Sequence, residues 1–128
     1  VSVLYWRLRP GVMPPAISRR LLVLQHGSHG HARDFDALRR AIDTAMVRHR
    51  VPGDVRVVTP DVVAGRGTDK GLRHCISTLT APIAEEVGRF QAEAQRAGEL
   101  GAVSFLGHSF GGLMLRGVAG ELADLDFI

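Results

Sequence analysis

The chain has 128 residues, 45% of them hydrophobic, which suits one buried core and leaves too little for two domains. Its formal charge of +3 comes from 16 basic and 13 acidic residues, and apart from Lys70 the basic ones are scattered arginines, so no nucleic-acid stripe is expected. Cys75, the single cysteine, excludes an internal disulfide; no apolar run is long enough for a membrane span or a signal peptide, so a cytoplasmic chain with no transmembrane segment is expected.

Residues 1–20 read as a lead-in or an edge strand: positions 3–8 alternate, and Pro10, Gly11, Pro14 and Pro15 then punctuate a connection. Residues 21–25, Leu-Leu-Val-Leu-Gln, are a compact apolar run ended by His26-Gly27, the pattern of a strand buried on both faces of a parallel sheet. From 32 to about 49, Phe35, Leu38, Ile42 and Met46 recur at three- and four-residue steps, predicting an amphipathic helix that Pro52-Gly53 stops.

Residues 55–59 are β-branched and predict a second strand, followed by a polar loop over 60–71 with Gly65, Gly67 and Gly71. Residues 72–79 suit a helix, but Pro82 lacks a backbone donor, so the helix is expected to restart with Thr80 as cap and Pro82 in its first turn. Ile83, Val87, Phe90 and Ala94 mark its buried face and Gly98 its end. Residues 102–106 predict a third buried strand, and a last helix contains Leu113, Val118 and Leu122. Strands separated by helix-length segments imply crossovers and therefore an α/β fold, a mostly parallel doubly wound sheet whose ligands bind beyond the carboxyl ends of the strands.

Between the third strand and the last helix stands Gly107-His108-Ser109-Phe110-Gly111-Gly112. Gly-x-Ser-x-Gly in a strand-to-helix turn is the pattern of a nucleophile elbow, in which the serine takes a strained backbone and the flanking glycines remove collisions with neighbouring chain. Ser109 would then sit at a helix N-terminus, where free N–H groups favour the negative charge that develops in acyl transfer.

The oxyanion of such a reaction needs two donors, one from the residue after the nucleophile and one from an earlier strand-to-helix loop. The Phe110 amide is the first candidate. The loop His26-Gly27-Ser28-His29-Gly30 supplies the second, through the amide of Ser28, with that of His29 ranked behind it. The same histidines, with His31, also allow a competing reading as a zinc site, with Asp34 and Asp36 nearby but no matching downstream ligand cluster. His49 and His74 read as surface residues.

Two stretches, 21–27 (Leu-Leu-Val-Leu-Gln-His-Gly) and 103–116 (Val-Ser-Phe-Leu-Gly-His-Ser-Phe-Gly-Gly-Leu-Met-Leu-Arg), resemble the lipase-like serine esterase family of the α/β-hydrolase superfamily, with Gly67-Thr68 and Gly71 matching its middle loop. The likeness spans about 21–122, and the segment 72–83 is about a helical turn longer than is usual there. The resemblance implies hydrolysis of lipid or other carboxylic esters through an acyl-serine at Ser109, with the Ser28 and Phe110 amides as oxyanion donors and with no metal or organic cofactor.

In that superfamily the acid and the histidine follow the serine, yet residues 110–128 contain no histidine, and Asp124 and Asp126 have no downstream imidazole to orient. His108, although next to the nucleophile in sequence, belongs to the elbow and not to the triad. Starting at Val1 and stopping soon after a helix, the chain is therefore expected to be a partial α/β-hydrolase domain over 21–128, truncated after the elbow helix, with an uncovered sheet edge prone to self-association. A non-catalytic binding or assembly module built on the same half-fold is the alternative.

Overall fold

The computed structural model describes residues 2–5, as backbone, and residues 17–124. The proline-punctuated connection expected at 10–15, and Asp126, lie outside the described residues. Four strands form one sheet in the order β1-β4-β2-β3. They are β1 (Ser2–Tyr5), β2 (Arg19–Gln25), β3 (Asp54–Val58) and β4 (Gly101–Gly107).

The central strand β2 is where the apolar run predicted it, with Leu21, Val23 and Leu24 fully buried. It runs parallel to β3, with Arg19 opposite Asp54 and Val23 opposite Val58. It also runs parallel to β4, with Arg19 opposite Gly101 and Gln25 opposite Gly107. On the far edge of β4, β1 lies antiparallel, pairing Ser2 with Leu106 and Tyr5 with Val103. The fold is α/β, a mostly parallel sheet flanked by helices.

One sheet face carries the core. Leu21 and Val23 of β2 and Val103 and Phe105 of β4 pack there against α2 (Leu72–Ala97) and α3 (Phe110–Asp124), which also pack on each other. Each such fully buried aliphatic or aromatic side chain contributes roughly 1.5–3 kcal/mol. The predicted amphipathic helix is realised as a 3₁₀ turn, Ala32–Phe35, continued by α1 (Asp36–Arg48). Its apolar stripe is not a buried face, however: only Phe35, in the 3₁₀ turn, is buried, while α1 itself buries no residue. Leu113, counted with the periodic positions of the last helix, is also exposed; Met114, Leu115, Val118, Ala119 and Leu122 face the core instead.

The expected break at Thr80 does not occur. Helix α2 runs without interruption through Pro82. Its buried stripe of Cys75, Leu79, Ile83, Val87, Phe90 and Ala94 continues across the proline at three- and four-residue steps, and burying all six against sheet and α3 outweighs one missing hydrogen bond. Two hydroxyls support the turn before it: Thr78 Oγ1 donates to His74 O at 2.8 Å and Thr80 Oγ1 to Ile76 O at 2.7 Å. Thr80 thus bonds backwards inside the helix rather than capping a new one. Replacing Pro82 by alanine restores the donor for Thr78 O, and thermal unfolding should show the chain stabilised by about 1–3 kcal/mol. A loss of stability would mean that the helix is built around its proline.

At the amino ends of the strands, Arg19 Nε meets Glu99 Oε2 at 2.8 Å, joined there by Ser18 Oγ at 3.1 Å. Arg56 reaches Glu93 at 2.6 Å. The Arg19 and Ser18 hydrogen bonds hold the Glu99 carboxyl below the usual carboxylate range, and the Arg56 hydrogen bond does the same for Glu93. These bonds fasten the last turns of α2 and the chain just beyond it to one end of the sheet. The opposite, carboxyl end is left for loops.

Candidate active site

Gln25 and Gly107 are the last residues of β2 and β4 and stand opposite each other, so the loops that follow the two strands leave the sheet side by side. They do so where the strand order reverses, since β2 connects to β3 on one side and β4 comes back on the other. His108 N–H donates to Gln25 O at 3.0 Å and locks the two strand ends together.

Ser109 lies between β4 and α3 with φ of 53°, in the left-handed region that a serine seldom occupies. The turn is closed by Gly111 N–H to His108 O at 2.9 Å and Gly112 N–H to Ser109 O at 3.0 Å. The flanking glycines have a steric cause. A Cβ on Gly107 would stand 2.3 Å from Gly112 N, and one on Gly111 would stand 2.3 Å from Gln25 O and 2.5 Å from His26 O. Only hydrogen at both positions lets the strand turn into the helix this tightly. The Ser109 side chain is exposed.

Across from it runs the loop His26-Gly27-Ser28-His29-Gly30. A Cβ on Gly27 would fall 3.3 Å from Ser109 Cβ and 3.1 Å from His108 O, so the loop backbone touches the turn. Covalent geometry then keeps the Ser28 amide nitrogen within about 8 Å of Ser109 Cβ. Of this loop's amides, Gly30 N–H donates to Gly27 O at 3.0 Å and His29 N–H to Thr68 Oγ1 at 2.9 Å. Among the described residues neither Ser28 N–H nor Phe110 N–H has an acceptor. The two amides named from the sequence thus lack an acceptor among the described residues, whereas the His29 amide, ranked behind them, is occupied.

The histidines go separate ways. His26 is buried under the loop; its Nδ1 lies 3.0 Å from Gly27 O, while Nε2 has no hydrogen-bond partner and stands 3.9 Å from Asp61 Oδ1. Because a carbonyl only accepts, Nδ1 carries the proton and His26 serves the loop's shape. His29, with φ of 57°, is exposed and its Nε2 meets Asp69 Oδ1 at 2.5 Å. Asp34 accepts from His31 N–H at 2.9 Å and Asp61 from Ala32 N–H at 2.8 Å, so both carboxylates begin the 3₁₀ turn. Among the described residues no three histidine, cysteine or carboxylate side chains converge on a metal position, which leaves the zinc reading without a ligand set.

Sequence reasoning placed Thr68 in the resembling family's middle loop without giving it a role, and did not name Asp69. They lie on a second 3₁₀ segment, Gly65–Lys70, and Gly65 N–H donates to Gly30 O at 2.9 Å. Their partners are about forty positions away in the chain, and no local pattern announces such a contact. A groove lined by Arg73, Ile76, Ser77, Thr80 and Glu121, between α2 and α3, contains none of the site residues. No described helix is long and apolar enough to cross a membrane.

The profile of the family described as Putative serine esterase matches residues 17–126. No curated protein and no solved structure matches the chain. The match runs from the first residues of β2 to beyond α3 and takes in both loops at the carboxyl end of the sheet, and on that extent the chain belongs to the Putative serine esterase family.

Proposed function

We propose that this protein is a serine ester hydrolase of the lipase or carboxylesterase kind, with Ser109 as its nucleophile and the amides of Ser28 and Phe110 as oxyanion donors. The observation that carries the reading is the pairing of a strained, exposed serine with two unpartnered N–H groups on the loops to either side of it. Backbone donors with no protein acceptor at the mouth of such a turn are open to an incoming group, and a substrate oxyanion is an acceptor this arrangement suits.

In the reaction, Ser109 Oγ attacks the ester carbonyl while its proton passes to an imidazole. The carbonyl oxygen gains negative charge and accepts from the two amides, and collapse expels the alcohol and leaves an acyl-serine that water then hydrolyses. The chain's own contribution is the placement of the serine and of both donors. Residues 110–128 contain no histidine, so no imidazole is assigned among them.

A fluorophosphonate tests this directly, because phosphonylation uses the same serine and the same donors and is irreversible, so that even a slow reaction accumulates product. Treated as the full chain, the protein should carry the label on Ser109, located by peptide mass spectrometry, and Ser109→Ala should take up none. Label on another residue, or equal labelling of the alanine variant, would sink the assignment.

A further inference from the structure

We infer that Thr68 is a positioning residue of the oxyanion site, holding the loop so that the Ser28 amide faces Ser109; this rests on the function proposed above. Thr68 is buried, and its hydroxyl bridges two backbone groups. Gly65 O, 2.9 Å away, can only accept, so the one hydroxyl proton goes there. Toward His29 N–H, also at 2.9 Å, the hydroxyl oxygen is left as an acceptor. The polarity of the bridge is thus fixed by Gly65, and it selects which loop amide is tied down and which stays free.

The consequence follows from the peptide geometry. His29 sits at φ of 57°, a conformation that a histidine keeps only when its surroundings impose it. Its N–H belongs to the peptide plane that also holds the Ser28 carbonyl, so a fixed His29 N–H fixes one side of Ser28. The Gly30 N–H to Gly27 O bond and the touch of Gly27 on Ser109 fix the other side. With Gly65 N–H on Gly30 O as a second tie, the segment Gly65–Lys70 grips the loop from behind, and Ser28 N–H is left without an acceptor among the described residues. The exposed His29–Asp69 pair is a third link between the same loops, but it holds the imidazole and not the amide.

The test is fluorophosphonate labelling of the full chain, with the maximal rate and the half-saturating probe concentration measured separately. Thr68→Val keeps the shape and loses both hydrogen bonds, and should lower the maximal rate at Ser109 about tenfold or more while the half-saturating concentration moves little; the thermal midpoint should fall as well, since Gly65 O and His29 N–H lose their partner. Thr68→Ser, which keeps the hydroxyl, should return the rate to within about threefold of the starting protein, and Asp69→Asn should also leave it within that range. Equal rates for Thr68→Val and the unaltered chain overturn the inference, and so does a loss in Asp69→Asn as large as that in Thr68→Val, which would transfer the role to the imidazole. Should Thr68→Val not fold, amide hydrogen exchange in the unaltered chain decides: a His29 N–H that exchanges slowly beside a fast Ser28 N–H supports the inference, and the reverse order overturns it. Absence of label on Ser109 in the unaltered chain instead overturns the proposed function itself, a result distinct from any difference among the Thr68 variants.

Discussion

Replacing Gly111 by alanine should destabilise the protein by about 3 kcal/mol and abolish reaction at Ser109. The new methyl would stand 2.3 Å from Gln25 O and 2.5 Å from His26 O, both backbone atoms at the end of the central strand. Neither can rotate away, so relief requires α3 to back off the sheet by about an ångström, and packed interiors resist such shifts. That movement would open the contacts of Met114, Leu115 and Val118 with the core and pull Ser109 out of its turn. Against a typical total stability of 5–15 kcal/mol the loss is large, and scanning calorimetry should show the midpoint falling by roughly 10 °C.

Gly120 of the same helix is the internal comparison. A Cβ there meets nothing within 4 Å and the site is exposed, so Gly120→Ala should stabilise the helix by about 0.5–1 kcal/mol. If the two alanines behave alike, the clash at Gly111 is not what sets its requirement for glycine.

Much of this architecture could be read from short, local patterns. Strands β2, β3 and β4 announced themselves as compact β-branched or leucine-rich runs because each is short and the two neighbouring ones are covered by other elements. The serine turn was legible for a similar reason: its two glycines answer collisions with chain that is either adjacent in sequence or adjacent in the sheet, as the 2.3 Å approaches at Gly107 and Gly111 express. What escaped was set by tertiary packing. Pro82 carries a strong local signal for a helix start, and six buried side chains on both sides of it overruled that signal. The stripe of α1 has the right period, but Leu38 is exposed and Ile42 and Met46 are only half-buried, so periodicity gave a helix without giving full burial. His26 read as a loop residue and is buried, while the Thr68 bridge depends on a contact between positions 29 and 68 that no window of sequence contains.

Gly27→Ala should separate reactivity from folding, the opposite outcome to Gly111→Ala. Its Cβ would lie 3.1 Å from His108 O, 3.3 Å from Ser109 Cβ and 3.4 Å from His108 Nδ1, contacts that a few tenths of an ångström of movement relieve. The stability cost should therefore stay under about 1.5 kcal/mol. The methyl nevertheless stands against Ser109 on the side of the Ser28 loop, where the proposed mechanism would seat a bound carbonyl within hydrogen-bond reach of both loops. A displacement of about 1 Å at a reacting centre costs on the order of a hundredfold, so phosphonylation of Ser109 should slow by roughly ten- to a hundredfold in a chain that melts nearly where the unaltered one does. Labelling at the unaltered rate would place the reacting group somewhere other than between these two loops, and would remove the Ser28 amide from the chemistry along with the Thr68 grip that aims it.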